Sequence, residues 1–394
     1  MTGASPSAWS RRDILRGTLA VTGAAVLGPR AEADDYQPVR CAARLAYSGP
    51  PVHVSVRPAR IKPVHDAPLA ESETRRLDEA FARIAAYTAA PALTAAVARP
   101  GKGLWHRTTA PAGHPTFWWA SVGKTFTAIV VLQLVEEGKL SLDGPVSQWV
   151  SGVPNGDVVS PRDLLAHTSG LFSANEDRVV RAHPRYRDAA TMLAIARRHG
   201  AMFCPGERWR YSNTGYDVLG EIVQRVDARP INEAITARII APLGLASMRA
   251  LSARASIDDV APASAAKGGT IDPRWAGAAG AIVSDAHDMA MAWAALFEGR
   301  LLKKQLFDQM TETLYPMFDA GTFYGLGIML FEVPDGRSTL QWIGHAGGAP
   351  GVGALAAYSR ADEAIVAVAF TGEGSAAAAA NLLLKSLKPK RRRS

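Results

Sequence analysis

Between residues 71 and 87 the apolar positions Leu77, Ala80, Phe81 and Ile84 fall three or four apart, the spacing of one helix face. They predict a helix over Glu71–Tyr87. Two short β-like runs follow, Ala92–Ala98 and Gly103–Thr108. Val122–Glu137 carries the strongest helical pattern of the chain. Phe126, Ile129, Val130, Gln133 and Leu134 turn through its faces, and Gly138 supplies a stop. From about 140 to 300 the signals are again helical, over Asp217–Val226, Ile231–Ile240 and Asp285–Phe297, with loops between. The character then changes to short β-like runs: Leu326–Val333, Thr339–His345, Gly353–Tyr358 and Ala364–Thr371. Turn sequences such as Pro334-Asp335-Gly336 and Arg360-Ala361-Asp362 separate them. An Ala- and Leu-rich helix, Ser375–Leu387, completes the series, and no internal repeat is present.

A helix at each end, strands beside each, and a long helical insert predict an α+β fold. Its antiparallel sheet is assembled from both chain ends and covered by helices, with a mostly helical domain inserted at about 140–300. A cleft between two such parts is where a small-molecule site is expected. Residues 34–70, rich in Pro and Arg and without a clear period, read as a poorly ordered lead-in.

Composition narrows the class. The 394 residues are 48% hydrophobic and 20% charged, with a mean hydropathy of -0.00. Those values suit one large or two interleaved globular domains and exclude disorder or a coiled coil. No apolar run approaches the ~18–20 residues that cross a bilayer, which excludes a polytopic membrane protein. The net charge of +8 is confined to the ends. Residues 1–33 hold four arginines and two acids, and the last ten residues hold six bases and no acid. The span 34–384 is therefore neutral, and the charge gives no reason to expect a nucleic-acid surface on the folded body.

Ser10-Arg11-Arg12-Asp13-Ile14-Leu15-Arg16 precedes a short apolar stretch, Gly17–Gly28, and Ala31 and Ala33 then offer a cleavage site before Asp34. That order predicts an export signal over 1–33. Its paired arginines resemble a twin-arginine leader, so a periplasmic or secreted mature chain is expected. In an oxidising compartment Cys41 and Cys204 could pair. Two cysteines are too few for a disulfide framework, the sequence does not say whether they meet, and two separate thiols is the expectation taken. The tail, residues 388–394, reads as a solvated, frayed end, with contact to an anionic envelope surface as the alternative.

The chemistry begins at Ser121-Val122-Gly123-Lys124, at the start of the strongest helix. An i, i+3 spacing there stacks the amine on the hydroxyl's face, and a partly desolvated lysine can accept the serine proton. Four letters alone are weakly specific: Ser264-Ala265-Ala266-Lys267 repeats the spacing with no helix after it. Gly123-Lys124-Thr125 looks like the end of a phosphate-binding loop, but that motif needs glycine where Trp118 stands. Tyr211-Ser212-Asn213 is the sole Y-x-N. A phenol and a carboxamide two apart in an extended loop face the same way, although, taken alone, a core tyrosine and a helix-capping Asn213 are the favoured reading. His345-Ala346-Gly347-Gly348 ends a predicted strand, where glycines allow close approach and His345 would add a donor or partial charge; a strand histidine before a turn is the plainer alternative. There is no G-x-S-x-G elbow, no S-D-N triplet, no H-E-x-x-H and no G-x-G-x-x-G before a helix. No metal or organic cofactor is implied.

Order and neighbours connect these fragments. Residues 119–128 (Trp119-Ala120-Ser121-Val122-Gly123-Lys124-Thr125-Phe126-Thr127-Ala128) resemble the nucleophile segment of the class C β-lactamase-like serine hydrolases. That family includes D-alanyl-D-alanine carboxypeptidases and related esterases. Four more segments resemble its later landmarks in order: Ser160–Leu171 with His167-Thr168-Ser169-Gly170, Pro205–Tyr216, Ala276–Gly280 with Ser284, and Gly344–Gly348. The similarity covers about 71–387 and implies the β-lactamase/transpeptidase-like fold. It implies Ser121 as acylated nucleophile, Lys124 and Tyr211 as the proton-transfer pair, and Asn213 as substrate-positioning amide. His345 would hold the third-motif position, with Gly347 beside it, and the N–H groups of Ser121 and Gly348 would form the oxyanion hole. His167 and Ser169 match a structural landmark and are kept outside the site. His345 replaces the usual lactamase lysine, and an imidazole attracts a substrate carboxylate less than a permanent cation does. The expectation is therefore a carboxypeptidase- or esterase-like acyl-enzyme hydrolase, acting on a peptidoglycan-like D-amino acid peptide, a β-lactam or an ester. The alternatives are a class C-type β-lactamase and a penicillin- or peptidoglycan-binding module without turnover. A nucleic-acid partner is not expected.

Overall fold

The computed structural model describes residues 36–88, 90–183, 185–263 and 271–388. The expected export signal (1–33), the Ser264–Lys267 repeat and tail residues 389–394 lie outside the described residues. The principal elements are α1 (Glu71–Thr88), β1 (Ala92–Arg99), β2 (Gly103–Thr109), β3 (Phe117–Trp118), α2 (Gly123–Glu136), α3 (Pro161–Ala166), α4 (Ala189–His199) and α5 (Asn213–Asp227). They continue with β4 (Arg249–Ala250), β5 (Ile282–Ser284), α6 (Ala286–Glu298), β6 (Tyr315–Pro316), β7 (Thr322–Tyr324) and β8 (Met329–Asp335). The chain then forms β9 (Ser338–Ala349), β10 (Val352–Ser359), β11 (Ala364–Thr371) and α7 (Ala376–Ser386).

Eight strands form one antiparallel sheet in the order β2-β1-β11-β10-β9-β8-β7-β6. The first two strands therefore join the last, as expected of a sheet built from both ends. The central strands read as continuous apolar runs because both faces are covered. Along β1, Leu93, Ala95 and Val97 meet the layer of α1 and α7, while Ala92, Ala96 and Ala98 face the other way, toward α6. On β11, Val366, Val368 and Phe370 share the first layer, and Ile365, Ala367 and Ala369 the second. The alanines on the inner face let α6 approach closely, and Trp293 and Phe297 of α6 fill the space around them.

The inserted part is mostly helical, as expected, but holds β4 and β5, which with β3 make a small second sheet in the order β3-β5-β4. This sheet matters because Trp119, next after β3, hangs from β5. Its main-chain N–H donates to the Ile282 carbonyl (3.0 Å) and its indole to the Ser284 carbonyl (3.0 Å). Helix α2 runs through the middle, with 11 of its 14 residues buried. A helix buried on all sides needs apolar residues all round, which explains its dense apolar composition.

Two expectations are corrected. Residues 36–70 contain no regular helix or strand, yet they are strapped to the body and are not a loose lead-in. Val39, Leu45 and Ser48 donate main-chain bonds to Ala201, Pro205 and Glu207, and His53 to Leu314. Arg60 binds the Leu296 and Leu302 carbonyls, and Arg44 pairs with the buried Asp163 at 3.0 Å. The strap also brings Cys41 to Cys204, and the two form a disulfide instead of standing as separate thiols. Lys388, the first residue of the basic tail, pairs with Asp362 at 2.9 Å. Among the described residues no helix is long and apolar enough to cross a membrane.

Candidate active site

Ser121 lies on a single turn, Ala120–Val122, that feeds α2. Ala120 holds a left-handed φ of 45°, a strained state for a residue with a side chain. Neighbouring backbone crowds the turn from two sides. A Cβ on Gly280 would lie 2.4 Å from the Ala120 carbonyl oxygen, and one on Gly347 would lie 2.1 Å from that of Trp119 and 3.1 Å from Ser121 N. Only glycine allows β9 and the 273–280 turn to press so closely on the nucleophile segment.

Lys124, the second residue of α2 and one turn on from Ser121, is fully buried and is the centre of the site. Its Nζ donates to Asn213 Oδ1 (2.7 Å) and to the Ala279 carbonyl (2.8 Å), and lies 3.2 Å from Ser121 Oγ. Burial disfavours the ammonium and lowers its pKa to about 7, against the opposing pull of Asp217. A neutral amine has two hydrogens and one lone pair. The two shortest contacts are to oxygens that can only accept from it, so they take the hydrogens. The lone pair is left facing the Ser121 hydroxyl, the arrangement a proton acceptor needs.

Asn213 is the first residue of α5. Ser212 provides the cap, its hydroxyl accepting from Gly215 N at 3.3 Å. The capping role open to Asn213 is thus filled by its neighbour, which frees the carboxamide for Lys124. Tyr211 is buried with its ring centroid 4.8 Å from Lys124 Nζ. Its hydroxyl makes no standard hydrogen bond among the described residues. Burial raises its pKa, and the nearby Ser121 hydroxyl offsets this in part, so the group rests as a phenol.

The structure thus brings Ser121, Lys124, Tyr211 and Asn213 together, and sets Gly347 and Gly348 of β9 beside the nucleophile turn. His345 sits differently. It is 1% exposed, and both ring nitrogens are engaged: Nδ1 donates to the Ala346 carbonyl (2.7 Å) and Nε2 accepts from the Tyr324 hydroxyl (2.9 Å). Desolvation, then the Lys124 charge, lower its pKa to about 3. It is a neutral wall residue, with no free donor to offer the cleft.

His167, kept outside on sequence grounds, belongs beside Tyr211. It caps the C-terminus of α3 in a left-handed conformation (φ 62°), while the Ser160–Asp163 capping box closes the other end of that short helix. Its carbonyl accepts from Arg210 N (2.9 Å) and its Nδ1 from Ser212 N (3.2 Å), gripping the chain on both sides of Tyr211. Its ring lies 4.2 Å from that of Tyr211. Burial and Lys124 drive its pKa well below the usual histidine value. The signal available in the sequence was the H-T-S-G landmark itself, which fixes no contact with residues 44 positions on. Asp217, one turn after Asn213, was also missed, because an acid on a helix reads as a solvent-facing residue.

The family model for beta-lactamase matches residues 77–387. The chain belongs to the beta-lactamase family. Esterase EstB of Burkholderia gladioli is 32% identical over 201 residues, 45% of this chain and 51% of that protein. Penicillin-binding protein 4* of Bacillus subtilis is 36% identical over 146 residues, 36% of this chain and 32% of its own length. The chain thus spans about half or less of these curated relatives. Among solved structures, a D-stereospecific amidohydrolase from Streptomyces sp. superposes with a TM-score of 0.67 at 30% identity, covering 79% of this chain and 97% of that one. A D-amino acid amidase from Ochrobactrum anthropi shares the fold at TM-score 0.70 and 23% identity, covering 82% and 100%.

Proposed function

We propose that this beta-lactamase family member is a serine hydrolase that cleaves an amide or ester through an acyl-enzyme on Ser121. The observation that carries the reading is the Lys124 amine, locked by two acceptors so that its lone pair meets the Ser121 hydroxyl. Ser121 Oγ attacks the carbonyl carbon while Lys124 takes its proton. The oxyanion forms against the Ser121 and Gly348 N–H groups, where each donor contributes on the order of 3 kcal/mol. The Tyr211 phenol, beside both Lys124 and Ser121, passes a proton to the leaving amine or alcohol and is reprotonated from Lys124. Water then attacks the ester under the same pair, and the acid departs.

The substrate reading follows from β9. A neutral His345 with both nitrogens occupied supplies no cation for a carboxylate on the leaving side. That favours amidase- or esterase-type substrates, whose leaving group carries no carboxylate, over a β-lactam or a D-Ala-D-Ala peptide, and the amidohydrolase and esterase relatives support it. A panel of a D-Ala-D-Ala peptide, an amino acid amide, a nitrophenyl ester and a chromogenic cephalosporin tests this. Turnover of the amino acid amide or the nitrophenyl ester above both the cephalosporin and the D-Ala-D-Ala peptide is expected, and fastest turnover of the cephalosporin or the peptide would reverse the substrate reading. The twin-arginine pattern and the disulfide together support export to an oxidising compartment. Replacing Arg11 and Arg12 with lysine should then retain the protein in the cytoplasm, and unchanged fractionation would refute export by that route.

A further inference from the structure

One buried acid at the site makes no hydrogen bond and no ion pair among the described residues. Four aspartates are buried among the described residues: Asp163, Asp217, Asp288 and Asp362. Three of them are satisfied. Asp163 accepts from Ser160, Thr168 and Arg44; Asp288 from Ser247 and pairs with His287; Asp362 accepts from Ser359 and pairs with Lys388. Asp217, 9% exposed, makes no hydrogen bond and no ion pair among the described residues. A buried carboxylate without a donor is costly, and proteins keep one only where something else meets it.

Its place indicates what that is. Asp217 follows Asn213 by four residues, so both lie on the face of α5 turned to Lys124 and the 273–280 turn. Gly277 on that turn is bare and left-handed (φ 48°), and a Cβ there would stand 3.3 Å from Asp217 Oδ1. The carboxylate therefore belongs to the wall of α5 and the 273–280 turn, across the nucleophile from β9. Asp217 keeps 9% of its surface exposed, so its side chain is not sealed from solvent. Lys124 interacts with it through space only, its own hydrogen bonds being spent on Asn213 and Ala279.

We infer that Asp217 receives a cationic group on the acyl side of the substrate, so that the preferred substrates are amides, peptides or esters of an amino acid with a free ammonium. The inference rests on the hydrolase reading above. It complements the neutral β9 wall: burial raises the Asp217 pKa to about 7, an ammonium docked against it would hold it ionised, and no cation stands on the other side of Ser121.

The test uses the D and L forms of alanine p-nitroanilide and their N-acetyl derivatives, with purified wild-type protein and Asp217→Asn. The readout is the ratio of kcat/KM for the free amine over the N-acetyl substrate, which cancels any loss of folded protein. Wild type should favour the free amine, and Asp217→Asn should reduce that ratio on the order of 10–100-fold, the range for a lost charge-assisted bond. A ratio unchanged in Asp217→Asn, with both rates falling together, would mean that the carboxylate only tunes Lys124, and would overturn the inference. Should the variant yield no soluble protein, the wild-type ratio decides alone, and a value at or below one overturns the inference. Turnover of neither substrate, with no acylation of Ser121, would remove the hydrolase reading as well.

Discussion

Breaking the Cys41–Cys204 bond should loosen both the strap and the segment that carries Tyr211. The cysteines are 163 residues apart, and the loop-closure relation for a ring of that size gives about 5 kcal/mol of stabilisation at 25 °C. That is an upper figure, because the strap is also held by main-chain bonds to Ala201, Pro205 and Glu207 and by Arg44 on Asp163. A loss of about 2–5 kcal/mol is expected for Cys41→Ser with Cys204→Ser, read as a lower guanidinium midpoint at unchanged slope. The consequence for activity follows from position. Cys204 stands seven residues before Tyr211, and Arg44 braces the acid of α3 whose last turn presents His167. The double variant should therefore lose kcat as well as stability, and reduction of wild type should reproduce both effects reversibly. A midpoint within ~0.5 kcal/mol of wild type would refute the reasoning, since it would mean that the non-covalent contacts of the strap suffice.

Three further expectations follow from the same geometry. Lys124 accepts a proton only as the free amine, and burial sets its pKa at about 7, so kcat/KM should rise with pH through a single limb near neutrality. A flat profile there would refute its role as acceptor. At His167, asparagine keeps an acceptor for Ser212 N and tolerates the left-handed backbone, whereas phenylalanine keeps the ring but strands a buried N–H at about 1–3 kcal/mol. His167→Phe should lose more kcat and stability than His167→Asn, and the reverse order would show that ring packing dominates. His287 is raised to about 9, chiefly by its bond to Asp288 and then by Asp66. Its contribution is complete below the ordinary histidine value near 6.5 and is lost as pH climbs through about 9. Denaturation midpoints should fall over that interval in wild type and not in His287→Gln, and parallel curves would exclude the pairing.

Much of the architecture was legible because its elements are long and buried in a regular way. β1, β10 and β11 are apolar along most of their length because helices cover both faces, and α1 shows one apolar stripe because it covers one. β3, β4 and β5 span two or three residues each, too few for any period, so the small sheet that suspends Trp119 left no trace. The strap escaped for another reason: main-chain bonds, arginine contacts and a disulfide hold it, and none of these repeats along the sequence. At the site, Ser121, Lys124, Tyr211 and Asn213 were named through the resemblance of the ordered motifs to a family, since spacing alone left a core tyrosine and a capping asparagine as the plainer reading. His345 was expected at the end of a strand, but β9 continues to Ala349 and His345 lies within it; its orientation depended on Tyr324, a partner 21 residues away that no motif contains. His167 and Asp217 depend likewise on contacts between segments far apart in the chain.

The central claim is that one hydroxyl becomes acylated, and intact-mass spectrometry under denaturing conditions reads this directly. After incubation with a β-lactam or an activated ester, wild type should gain the mass of one acyl group. Peptide mapping should place it on Ser121, and Ser121→Ala should gain nothing. An equal gain in the variant, or a label on another residue, would contradict the account.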